Sequence, residues 1–442
     1  MTNARPSLHA LPIVFSILLL SVGCQHTVMN PPPSRSSPLD DVAKSYVRLV
    51  LALGEHDASY VDAYYGPPDW REQVKIEKKS LNSIRQDAEL LVSNIDGTSV
   101  DGSDSLVQLR RQYLRTQLRS LIARVDMLGG KKFTFEEEAL ALYDAKPPRV
   151  PTSTFDAVLA RLAVLLPGQG PLQARYEAFR SDFTIPKEKV DAVFTAAIAE
   201  ARRRTLRHID LPSGEKFAVE YVQGKSWSAY NWYKGNSYSV IQVNTDLPIS
   251  IDKIIQLAVH EGYPGHHVYN VLLEQRLVRD RGWVEFTVYP LFTPQSLIAE
   301  GSANYGVDLA FPADERLKFA REVLFPLAGL DPSRAKSFFE VQDLLKELKY
   351  ARNEAARQYL DGAIDGPAAT EFQTRYSMMT AGDAARSTKF FDEYRSYVIN
   401  YNLGEDLVRR YIESKVGLGD EKKKWDEFEA LLSSPRLPST LR

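Results

Sequence analysis

From Asp41 onward, hydrophobic positions recur at helical spacing through most of the chain. The periodic stretches run roughly over 38–54, 70–96, 104–128, 153–166, 186–207, 251–277, 332–361 and 383–415. Gly66-Pro67-Pro68, Pro147-Pro148, Gly168-Gln169-Gly170 and Gly366-Pro367 punctuate them, as helix-breaking residues should. One region departs from this pattern. "EKFAVEYV" (215–222) and "NSYSVIQVN" (236–244) alternate and are rich in β-branched and aromatic residues, which predicts strands. Trp227, Tyr230, Trp232 and Tyr233 crowd the segment between them. The expected fold is therefore mainly α, a large helical domain with a small β-sheet beside the helix that follows the strands. An edge strand of such a sheet can receive an extended peptide through main-chain hydrogen bonds.

The amino-terminal pattern is different again. Arg5 precedes an apolar run from Ala10 to Val22 that ends in Leu20-Ser21-Val22-Gly23-Cys24. The run is too short to cross a ~30 Å hydrocarbon core as a helix, and it reads as a secretory segment. Small residues before a cysteine predict a signal peptide over 1–23 and lipidation of Cys24. Cys24 is the only cysteine, which rules out an intramolecular disulfide. "QHTVMNPPPSRSSPLD" is rich in Pro and Ser and predicts a flexible tether over 24–37. Residues 38–442 then form a single large helical catalytic domain, with 38–185 as a candidate helical subdomain. The expected location is the bacterial cell envelope, membrane-bound through a lipid anchor. Gln25 in place of aspartate after the cysteine directs it to the outer membrane of a Gram-negative host.

Composition narrows the function classes. Hydrophobic residues at 44% and charged residues at 25% supply a large core. The 55 Lys plus Arg against 57 Asp plus Glu leave no basic footprint for nucleic acid. Arg202-Arg203-Arg204 reads as a solvated helix face.

The chemistry concentrates in "AVHEGYPGHHVYN" (258–270), which holds three of the seven histidines. Ser250 is placed to cap a helix whose apolar stripe is Ile251, Ile254, Ile255 and Ala258, so His260 and Glu261 end a buried rod. The sequence nearly spells HExxH, whose histidines share one helix face and converge on one zinc ion. Here Pro264 occupies the second histidine's place. In a straight helix His267 would lie about 10.5 Å along the axis from His260, too far for one ion. The Tyr-Pro-Gly segment must kink so that His266 or His267 returns to the vacant place, and the residues alone do not choose between them. Glu300 in "TPQSLIAEGSANYGVDL" offers a third ligand from an apolar helix begun by Thr293 and Pro294, and Gly301, Ser302 and Ala303 permit close packing there. Asn304 or Asp308, one and two turns on, is placed to orient a ligand histidine. Two histidines and this glutamate match the His₂Glu set of catalytic zinc.

"HEGYPGHH" followed by "EGSANY" resembles a large bacterial family of lipoproteins of unknown function, whose pattern is HExYPGHH with a downstream EGxAxY. "YVDAYYGPPDW" near the start extends the likeness over most of the chain after the tether. The resemblance implies a mostly helical, zinc-metallopeptidase-like domain. It maps metal positions onto His260, His266, His267 and Glu300, and the catalytic acid/base onto Glu261. "AARQYLDGAID" resembles the family's arginine helix and maps onto Arg357 and Asp361; "YNLG" maps onto Tyr401 and Gly404. Two departures stand out: "SYVI" occupies the place of Pro-Gly-Gln-Ala, and Asp365 that of a histidine.

The expected function is a zinc-dependent hydrolase, a metallopeptidase with one Zn²⁺ and a peptide or peptide-like substrate. Glu261 serves as general base and acid, and Tyr305, Tyr401 or Arg357 stabilises the oxyanion. The alternative is a non-catalytic envelope lipoprotein that binds peptide or cell-wall polymer in an aromatic cleft. Glu261 favours catalysis, because a binding module has no need of a carboxylate beside the metal.

Overall fold

A computed structural model describes residues 37–98, 104–225, 227–417 and 419–441. The expected signal peptide, Cys24 and the expected tether as far as Ser36 lie outside the described residues. Where the helical periodicity was long, helices form, but several are divided. The 70–96 stretch becomes Pro68–Glu77 and Leu81–Gly97, because Lys78 adopts a left-handed conformation and Ser80 caps the second helix. The 383–415 stretch becomes Ala381–Tyr394 and Ile399–Lys415, separated at Arg395 with φ +51°. The 332–361 stretch likewise divides into Ala335–Lys346 and Ala351–Leu360. Periodicity reports the buried face of consecutive helices and is blind to a short interruption that keeps that face inward.

The strand prediction is met and extended. β1 (Val61–Tyr64) pairs antiparallel with a short strand at Val288–Pro290. β2 (Lys216–Val222), β3 (Ala229–Tyr233) and β4 (Tyr238–Asn244) form a three-stranded sheet in the order β2-β4-β3. β2 and β4 are parallel, and β3 runs antiparallel to β4. The aromatic segment is thus itself an edge strand.

Ile251–Leu257 is the first half of the histidine helix, and Ile251, Ile254, Ile255 and Leu257 are all buried. Each such side chain stabilises the fold by roughly 1.5–3 kcal/mol. Ser250 occupies the cap position, yet its hydroxyl donates to Asp252 Oδ1 at 2.6 Å and does not cap the helix. The glutamate helix, Pro294–Ala310, crosses the Ile399–Lys415 helix where Gly301 meets Gly404. A Cβ on Gly301 would lie 2.3 Å from the Gly404 carbonyl carbon, so only glycine permits this approach. The small residues around Glu300 thus serve the close packing that they predicted. Among the described residues no helix is long and apolar enough to cross a membrane.

Candidate metal centre

The backbone between the two histidines does what the spacing required. Ala258–Gly262 widens into a π-type turn, in which Tyr263 N donates to Ala258 O at 3.2 Å. Tyr263 is extended, Gly265 N donates to Val259 O at 2.9 Å, and a new helix, His266–Leu273, begins at once. Gly265 lies so close to the preceding turn that a Cβ would stand 2.0 Å from His260 O and 2.3 Å from Val259 O. This close approach brings His266 back beside His260, with their rings perpendicular and 4.6 Å apart.

Glu300 meets both. His260 Nε2 lies 3.1 Å and His266 Nε2 3.7 Å from Glu300 Oε2. One ligand atom from each of the three residues falls within 4.8 Å of the others, a group that could hold a metal ion. Asn304, one turn after Glu300, fixes the first imidazole. Its amide nitrogen donates to Tyr401 O at 2.6 Å, which leaves Oδ1 to accept from His260 Nδ1 at 2.9 Å. With the hydrogen on Nδ1, a neutral His260 turns the lone pair of Nε2 toward Glu300. Glu300 Oε1 accepts from the Tyr397 hydroxyl at 2.8 Å, whereas the buried Oε2 has no well-aligned hydrogen-bond donor among the described residues. A buried carboxylate oxygen left orphaned opposite an imidazole lone pair is costly unless a cation joins them. Burial alone would raise the Glu300 pKa; without a metal, only protonated His260 and His266 could supply the hydrogen bonds and charge that hold it well below the carboxylate range, a place that a metal cation would take. Burial opposes protonation of His266, while Glu300 and the nearby Glu261 and Asp62 raise its pKa to about 9. The three ligand residues fit a metal.

The centre opens into a cavity of ≈ 950 Å³. Glu261, next to the first ligand, is on its wall, with its backbone carbonyl held by Asn231 Nδ2 at 2.7 Å. Tyr401 also lines it. Burial, followed by the charge of Glu300, pushes the Tyr401 pKa well up, so its hydroxyl keeps its proton and remains a donor. Ala229, Tyr230, Asn231 and Tyr233 of the edge strand β3 form part of the same wall.

Four other residues weighed for the site lie elsewhere. His267 is not beside Glu300; Nδ1 is 2.9 Å from Ser239 Oγ and Nε2 is 3.0 Å from Glu215 Oε2. Helix geometry turns adjacent residues about 100° apart, so only one of the pair can face the centre. Glu215 also accepts from Tyr263 at 2.7 Å and Arg202 at 2.6 Å, so His267 belongs to a buried network that braces the loop from behind. Tyr305, expected at the oxyanion, packs against Phe428 with Arg409 over its ring. Arg357, the other arginine candidate, is held by Glu136, Glu354 and the Pro148 carbonyl. Asp308, weighed beside Asn304, is taken up by Arg316, Lys346 and Arg409.

Other residues were missed. Tyr397, which holds Glu300, stands within "SYVI", the segment that departs from the family pattern, and its signal was its place one turn before Tyr401. Asp62, on β1, lines the cavity and accepts from Tyr230, so "YVDAYYGPPDW" contributes a side chain to the site as well as a likeness. Arg352 replaces Arg357 as the cavity's arginine on that helix.

No family model matches this chain, and no curated protein matches it. Among solved structures, the chain is similar to a candidate lipoprotein from Colwellia psychrerythraea, at 13% identity and a TM-score of 0.64, over 92% of this chain and 98% of that one. At this identity the likeness shows a shared fold. A candidate lipoprotein of unknown function from Shewanella oneidensis is similar at 13% identity and a TM-score of 0.45, over 93% and 88% of the two chains. An M32 carboxypeptidase from Deinococcus radiodurans R1 is similar at 13% identity and a TM-score of 0.43, over 89% of each chain.

Proposed function

We propose that this chain is a zinc-dependent hydrolase of peptide bonds, anchored to the cell envelope by a lipid on Cys24. The observation that carries the activity is the convergence of His260 Nε2, His266 Nε2 and the orphaned Glu300 Oε2 at the wall that also holds Glu261. Two nitrogens and one carboxylate oxygen are the donor set of a catalytic zinc site with a position left for water or substrate. When bound, zinc supplies Lewis acidity, which polarises a carbonyl and makes water a nucleophile near pH 7.

The protein's own groups account for the rest. Glu261 takes a proton from the attacking water and delivers it to the leaving nitrogen, so that one carboxylate serves as base and then acid. The protonated hydroxyl of Tyr401 donates to the carbonyl oxygen as negative charge develops there. Asn304 keeps the hydrogen of His260 on Nδ1, and Tyr397 keeps Glu300 turned toward the histidines. The edge of β3 offers main-chain groups to an extended substrate, which favours peptide over a compact ligand. The name of the Colwellia protein as a candidate lipoprotein agrees with the anchor, and Cys24→Ser should release the chain from the membrane fraction.

The test uses the purified full-length chain in detergent. It should contain close to one zinc per chain and cleave members of a mixed peptide pool. Chelation should abolish cleavage, and Glu261→Gln should keep the metal while losing turnover by two orders of magnitude or more. A chain that binds no zinc, or a Glu261→Gln variant with full turnover, would sink the proposal.

A further inference from the structure

The cavity carries positive charge that the metal centre does not use. Arg180 from the Leu172–Ser181 helix, Lys253 from the histidine helix and Arg352 from the Ala351–Leu360 helix all line it. None is ion-paired with a carboxylate among the described residues. Lys253 donates to Gln256 Oε1 at 2.8 Å; Arg352 donates to Ser387 Oγ at 2.8 Å and lies over the Phe390 ring at 4.6 Å. The Arg180 guanidinium makes no hydrogen bond among the described residues. This is unusual for the molecule. The arginines buried among the described residues are all paired: Arg110 with Glu285, Arg124 with Asp57, Arg316 with Asp343 and Arg357 with Glu354.

The carboxylates that share this part of the wall are already engaged. Asp246 accepts from Gly224 N at 2.6 Å, Asp252 accepts from the Ser250 hydroxyl at 2.6 Å, and Asp383 is paired with Arg386. Burial holds the Lys253 ammonium below the usual lysine range; Arg180 and Arg352 add to this, against the opposing charges of Asp252 and Glu261. Half-buried cations without counter-ions gain most from a ligand that brings one.

Lys253, Gln256 and His260 stand on one face of the histidine helix, and all three line the cavity. Lys253 and His260 are seven positions apart, about 10.5 Å along the axis. An extended peptide covers that distance in about three residues. We propose that Arg180, Lys253 and Arg352 form a carboxylate-binding subsite, so that the substrate presents an anionic group about three residues from the bond at the metal centre. This rests on the hydrolase reading for the word substrate, while the anion site itself stands on the unpaired cations. The carboxylate is either a free chain terminus or an acidic side chain, and the experiment separates the two.

Three random hexapeptide pools are offered to the zinc-loaded, full-length Glu261→Gln chain, which holds peptide without cleaving it. One pool has free C-termini and no acidic side chains, one has amidated C-termini and one acidic side chain, and one is amidated and neutral. Mass spectrometry reads what is retained. At least one carboxylate pool should be retained tenfold or more over the neutral pool, and which one identifies the source. Adding Arg180→Gln and Lys253→Met should erase the preference without changing zinc content. Lys253→Met alone, a milder change, should reduce it severalfold. Equal retention of all three pools, none included, overturns the subsite, as does an unaltered preference in the variants. Selective retention with no cleavage by the wild-type chain would leave the subsite standing and refute the hydrolase. Cleavage of all pools without preference would do the reverse.

Discussion

Gly301 and Gly404 meet backbone to backbone, and a Cβ on Gly404 would stand 2.6 Å from Leu297 O and 3.0 Å from Gly301 Cα. This contact sets the distance between two helices that share the centre. Glu300 and Asn304 come from one, Tyr401 from the other, and Tyr397 from the turn leading into it. Gly404→Ala should therefore push the helices apart and stretch the Tyr397–Glu300 and Asn304–Tyr401 hydrogen bonds. The expected result is a loss of about 1–3 kcal/mol in stability together with weaker zinc binding. Gly214→Ala, where an added Cβ meets nothing within 4 Å, is the control. Denaturant unfolding and zinc titration on both variants check this, and equal behaviour would refute the coupling.

The two neighbouring histidines should separate cleanly. His266→Ala removes a nitrogen from the centre and should strip most of the zinc. His267→Ala should retain it but unfold more readily by about 1–3 kcal/mol, because buried Glu215 and Ser239 each lose a partner. Zinc content by elemental analysis and melting temperature after chelation distinguish the two. Loss of zinc in His267→Ala alone would reverse the assignment.

Gly265 is where the chain doubles back against the turn that carries His260. A methyl group there collides with backbone, which cannot move aside as a side chain end does. Gly265→Ala should cost several-fold to tens-fold in zinc affinity and lower the melting temperature even without metal. Unchanged affinity would show that the close approach is not what places His266.

Asp62 gives a pH dependence with a definite sign. Burial raises its pKa from 3.8 to about 7; His266 opposes the shift, and Glu300 and Glu261 add to it. In the chelated protein the folded state therefore holds this proton more tightly than the unfolded chain does. Its contribution to stability is fully present below about pH 4 and is lost as the pH rises through about 7. Asp62→Asn keeps an oxygen for Tyr230 and removes the titration. Between pH 4 and 7 its melting temperature should fall less than that of the unchanged chain. Parallel curves for the two proteins would show that Asp62 does not titrate in this window.

Much of the architecture could be read along the chain because burial leaves a period. Ile251, Ile254 and Ile255 announced a helix buried on its way to His260, and alternation marked β2 and β4. The residue types of the centre were legible for a similar reason: a glutamate among Leu297, Ile298 and Ala299 needs a partner wherever it folds. The sequence also determined that a straight helix through Pro264 would not unite two histidines on one ion. What it left open was decided by contacts between segments far apart in the chain. His266 faces Glu300, and not His267, because β4 and Glu215 claim the second ring from the other side. Arg352, and not Arg357, reaches the cavity because Glu136 and Pro148, 221 and 209 residues earlier in the chain, hold the latter. Asp62 and Tyr397 join the site only when β1 and the Ile399–Lys415 helix pack around it. Periodicity and residue chemistry are local properties, whereas the direction a side chain faces is set by what packs against it.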